Sequence, residues 1–167
     1  MLDGARLTIS EAARGQHTRQ LIRQAETAEQ VGQMAARLLV AQDEENVFET
    51  LAQNIRAVGI EQATVALYEP EGDDPVAWSA LRLPEPLDSN ARRFATRHFP
   101  PKGLYPENEA FSLALLPLYI QDEPTGFMAF DAGHLEPCAD IVRQLAAALR
   151  SVRLYREALE GRRLAAV

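Results

Sequence analysis

The chain has 167 residues, 47% of them hydrophobic, with 24 acidic against 17 basic side chains and a net charge of −7. That length suits one domain burying roughly 70% of its unfolded surface. A single cysteine excludes a disulfide framework or a cysteine-built metal cluster, and the acidity argues against nucleic acid as a partner.

No apolar run approaches the roughly 20 residues of a membrane helix. Met1–Ser10 also lacks the apolar stretch of a signal peptide, so a cytoplasmic protein without membrane contact is expected. Residues 1–13 show no period and read as a frayed lead-in. From Arg14 to Ala41 the pattern is helical. Leu21, Ala25, Ala28, Gly32, Ala35 and Leu39 recur at heptad spacing, and Val31, Met34 and Leu38 form a second stripe. Most members of the first stripe are small, which lets a partner helix approach closely. Asp43 reads as an N-cap for a helix carrying Val47, Phe48, Leu51, Ile55 and Val58 on one face, and Gly59 stands where a left-handed residue ends it.

Alternation then predicts strands over Gln62–Glu69 and Val76–Leu83, joined by the turn Pro70 to Pro75, a hairpin. Pro84 and Pro86 break the chain. Arg92–Phe99 is assigned as strand because Phe94, Thr96 and His98 alternate, although Phe94 and His98 also suit a helix. Pro100–Ala110 is an irregular, proline-rich link. Phe111–Ile120 and Gly126–Asp131 form a second hairpin around the polar turn Gln121 to Thr125.

Glu136 to about Glu160 closes the chain as a helix with two apolar stripes. One is Ile141, Leu145, Ala148, Val152, Tyr155 and Leu159; the other is Cys138, Val142, Leu145, Leu149 and Val152. The order of elements predicts an α+β fold with a mainly antiparallel sheet covered by amphipathic helices. Helices of about 42 Å (Arg14–Ala41) and about 37 Å (Glu136–Glu160) overhang strands of about 20 Å. Their surplus apolar surface predicts a homodimer, with Leu21, Ala25, Ala28, Ala148, Val152, Tyr155 and Leu159 at its interface.

Residues for chemistry are sparse. His17, His98 and His134 form no metal-ligand pair, so no metal site is expected. No nucleophile–base pattern or phosphate-cradling glycine loop is present, so no enzyme activity and no catalytic residue are assigned. Cys138 reads as an inert core residue. The arginines 150, 153, 156, 162 and 163 read as a solvated face that suits the negative end of the helix.

Three stretches in sequence carry a resemblance. They are Ala35–Leu39 with Asp43–Ala52 leading into Val65–Tyr68, then Leu113–Ile120 followed by Thr125–Phe130, and finally Val142–Ala158. Together they resemble a GAF domain, the small-molecule-sensing module of bacterial signalling proteins, over roughly Ala35 to Arg163.

The resemblance implies a central antiparallel sheet of five or six strands, with the terminal helices on one face and a ligand pocket on the other. It divides the chain into a lead-in (1–13), a signalling and dimer helix (14–41), a GAF-like domain (42–160) and the start of a linker (161–167) to an output domain such as a histidine kinase. The Asn-Lys…Phe…Asp-Glu signature of cyclic-nucleotide binders and the pigment-attaching cysteine of bilin binders are absent, so no cofactor is expected. Trp78, Phe94, His98, Tyr105 and Phe111 fall where the resemblance puts the pocket lining. They either line a pocket for a small apolar or aromatic ligand or pack the second face of the sheet. The resemblance thus implies a sensor or, with no ligand, a dimerisation spacer.

Overall fold

The computed structural model describes residues 3–84, 92–133 and 135–166; Pro86 and His134 lie outside the described residues. Among the described residues three α-helices and five strands follow in the order α1 (Asp3–Leu39), α2 (Glu44–Asn54), β1 (Ala63–Glu71), β2 (Asp74–Leu83), β3 (Arg93–Ala95), β4 (Leu113–Ile120), β5 (Glu123–Asp131) and α3 (Cys138–Ala165). The architecture is α+β, with one antiparallel sheet in the order β3-β2-β1-β5-β4. Among the described residues no helix is long and apolar enough to cross a membrane.

Local chemistry accounts for the helix boundaries. The Asp43 carboxylate accepts the Asn46 amide at 2.8 Å, capping α2. A single 3-10 turn, Ile55–Val58, then ends at Gly59 with φ +87, a backbone conformation glycine adopts without strain. The two hairpins are tighter than the sequence suggests. Glu71 pairs with Asp74 and Ile120 with Glu123, so each turn has only two central residues, and Pro70, Pro75 and Pro124 lie within strands. Gln121 (φ 51) and Asp122 (φ 66) both hold positive φ, the geometry that a two-residue hairpin turn demands.

One face of the sheet makes the main core. Val65, Leu83, Leu118, Ile120, Met128 and Phe130 meet Val47, Phe48 and Leu51 of α2 and Cys138, Ile141, Leu145 and Leu149 of α3. Helix α1 packs chiefly on α2 and α3 rather than on the strands, through Val31, Met34 and Leu38. Arg37 donates to the Asn54 side chain, which in turn donates to the Thr50 carbonyl at 2.7 Å, so the buried Asn54 is satisfied where α1 meets α2. The second face carries a smaller cluster of Ala66, Leu81, Phe94 and Phe127, with Tyr68, Phe99 and Leu104 against it.

Four expectations change. The stretch 3–13 is helical, continuous with α1, rather than a frayed lead-in, and α3 runs on to Ala165. Residues 92–99 are strand only over Arg93–Ala95 before a 3-10 turn, Thr96–His98, because a run this short supplies just three ladder pairs with β2. Ala148 (1% exposed) and Val152 (5%) are core residues of this chain rather than partner-facing ones. Both sit on the stripe of α3 that faces the sheet and α1. Leu21 (52%) and Leu159 (42%), with Ala25, Ala28 and Tyr155, stay exposed.

Candidate functional site

The sheet register brings three remote segments to one end. Ala63 at the start of β1 pairs with Phe130, and Asp131 at the end of β5 pairs with Leu113 at the start of β4. The link that precedes β4 folds over this end, held by the Ala132 amide donating to the Ser112 carbonyl at 2.9 Å. Between link and strands lies a hollow of about 370 Å³, with Tyr105, Phe111, Glu61, Glu109 and Asp131 in its walls. That volume is of the size small-molecule sites use.

Tyr105 is the fixed element. Its hydroxyl shares a 2.7 Å hydrogen bond with the hydroxyl of Thr64, which is buried on β1. Its ring meets Phe111 with centroids 4.9 Å apart and Phe99 edge-on at 6.4 Å. Burial pushes the Tyr105 phenol above its ordinary 10.0, and the Thr64 bond pulls it partway back. The Phe111 ring is half uncovered. Glu61 follows Ile60, a residue buried in the helix-side core, so one wall of the hollow continues into the layer beneath the helices.

Of the five residues proposed as pocket lining, the structure brings Tyr105 and Phe111 together and separates the other three. Phe94 pairs with Ser79 and is buried in the second-face cluster, filling space rather than facing an opening. Trp78 precedes Ser79, and the period of two along a strand turns it to the opposite face. There its indole donates to Glu71 at 2.6 Å under the Arg93 guanidinium, 4.2 Å from the ring. His98 is exposed on its 3-10 turn. Sequence reasoning missed Glu61, Glu109 and Asp131, which share no local motif and border one hollow only because strand pairing and the link before β4 bring their segments to the same end of the sheet.

A second hollow, of about 160 Å³, lies between Glu44, Leu67, Ile120, Thr125 and the α3 residues Leu149 to Arg156. Two ion pairs border it: Arg82 faces Glu44 at 3.5 Å and Arg153 faces Glu123 at 3.7 Å. Among the described residues no three His, Cys, Asp or Glu side chains are grouped to hold a metal ion. Fold and site together define an α+β domain with helices on one face of its sheet and a loop-walled hollow at one end of the other. No protein-family model matches the chain, and no curated protein matches it either.

Proposed function

We propose that this chain is a GAF-like regulatory domain of a signal-transduction protein, one that binds a small molecule and relays a conformational change through its terminal helices. The observation that carries the reading is the division of those helices. Each has one stretch in the core and another with large apolar residues left to water: Ile9, Leu21 and Ile22 on α1, and Leu154, Tyr155 and Leu159 on α3. Uncovered apolar surface at helical spacing suits a second copy of the chain, and a paired helix layer suits an output domain such as a histidine kinase. The five-stranded antiparallel sheet with N- and C-terminal helices is compatible with the GAF-like resemblance.

The hollow beside Tyr105 and Phe111 supports ligand binding, and the continuity from Glu61 into Ile60 gives a ligand something to push on. Such coupling is worth typically about 1–3 kcal/mol, provided the ligand distinguishes two arrangements of the helices. A ligand-free dimerisation spacer is favoured by one observation: the centre of the second face is filled, with Phe99 against Phe127 at 4.9 Å between centroids.

Native mass spectrometry of freshly purified protein separates these readings. A dimer that retains a small molecule supports the sensor. A dimer that neither retains nor acquires one hands the case to the spacer, and a monomer overturns both.

A further inference from the structure

We propose that the hollow walled by Tyr105 and Phe111 takes a small organic cation, an amine or quaternary ammonium group on a short carbon frame. The inference rests on the sensor reading and gives its ligand a chemical class. It departs from the apolar ligand expected from the aromatic residues alone.

Four observations converge on it. The walls hold three carboxylates, Glu61, Glu109 and Asp131, and neither lysine nor arginine. An apolar guest would strip water from those carboxylates and offer nothing in return, and a phosphate or carboxylate guest would be repelled outright. Two aromatic rings stand in the wall, and the π-face of such a ring attracts a cation lying within about 6 Å. Tyr105 is pinned by Thr64 at 2.7 Å, so this wall is formed before any ligand arrives. Finally, these carboxylates are not grouped closely enough to share a metal ion. Charge spread around a cavity of about 370 Å³ matches a cation that is itself bulky and weakly hydrated. A quaternary ammonium head can touch the rings with its methyl groups while the carboxylates balance its charge at longer range.

The test uses the full chain and three probes: choline, its neutral isostere 3,3-dimethylbutan-1-ol, and calcium chloride. Backbone amide NMR follows the positions 61–62, 105 and 107–113. Choline is expected to shift these amides with an apparent affinity at least about fivefold tighter than the neutral isostere. Glu61→Gln with Glu109→Gln, and separately Phe111→Ala, are each expected to weaken choline at least about fivefold. The three side chains are exposed, so melting temperature should hold and a lost signal is not a lost fold.

Equal binding of the neutral isostere, calcium displacing choline from the same amides, unchanged affinity in both variants, or no response to choline would each overturn the proposal. Dimer mass is read from the same samples. A dimer indifferent to choline defeats the cation and leaves the regulatory reading standing. A monomer that binds choline keeps the cation site and defeats the relay.

Discussion

Gly126 sits on β5 between Leu67 of β1 and Leu118 of β4, and a methyl group there has no room. A Cβ at this position would lie 2.2 Å from the Ala66 carbonyl oxygen and 3.0 Å from the Leu67 Cα, all backbone atoms that no rotamer change can move. A comfortable carbon–oxygen contact is about 3.3 Å, so Gly126→Ala must drive β5 about 1 Å away from β1. One or two ladder hydrogen bonds are then lost, at about 1 kcal/mol each. Looser packing of the neighbouring Phe127 and Met128, both buried, adds about 1–3 kcal/mol. The sum, about 2–5 kcal/mol, is a large share of the 5–15 kcal/mol typical of a domain. At about 2–4 °C per kcal/mol for a chain of this size, the melting temperature should fall by about 4–20 °C. Thermal unfolding followed by far-ultraviolet circular dichroism measures it. Gly161→Ala serves as the control, since a Cβ there meets nothing within 4 Å. A Gly126→Ala protein melting within about 2 °C of its parent would refute the close approach of β1 and β5.

Tyr105→Phe leaves the buried Thr64 hydroxyl without its 2.7 Å partner and should lower the stability obtained from urea titration by about 1–3 kcal/mol; Thr64→Val with Tyr105→Phe should recover part of that loss. Cys138 is buried, and desolvation raises its thiol above the ordinary 9.0, so unfolded chains lose the proton first as pH rises. Its contribution to stability is fully present below about pH 9 and is lost as pH climbs through the raised value, so Cys138→Ala should flatten the alkaline fall in stability, and alkylation of the native thiol should be slow. Gln121→Asn with Asp122→Gly relieves two positive-φ positions and should raise stability by about 1 kcal/mol in the same urea assay. Leu21→Glu with Leu159→Glu should convert a dimer to monomers in sedimentation without changing the melt of the core, because both side chains are exposed. A parent protein that is already monomeric at tens of micromolar would remove the basis for that last expectation.

The sequence made legible whatever depends on neighbours along the chain. Asp43 capping, the Gly59 stop, both hairpins and the apolar stripe of α1 that enters the core rest on spacings of two to four residues, and the structure has them. What escaped depends on parity and on distance. Whether Trp78 shares a face with Phe94 is decided by which residue of β2 stands opposite Phe94, and that residue is Ser79. Val152 belonged to both stripes of the last helix, and spacing alone could not say which stripe turns inward. The carboxylates of the hollow come from just before β1, the link before β4 and the end of β5, so no window of sequence contains them together. Residues 8–13 are exposed on α1, so no apolar period marks them and the signal that usually announces a helix is missing there.

From Thr8 to Glu26 every side chain of α1 is exposed, so this part of the helix has no cover from its own domain. Peptide helices shorter than about 12–15 residues are marginal in water, and longer ones without packing still melt gradually from their ends. The free stretch therefore behaves as a helix–coil equilibrium grafted onto a cooperative domain, with its own shallow temperature dependence ahead of the main transition. Whatever covers Leu21 and Ile22 adds to the propagation of every turn between them and the core, and so lengthens the helix as it binds. The helical content of the isolated chain thus becomes a measure of contact: dilution that separates copies would shorten α1 before it disturbs the sheet.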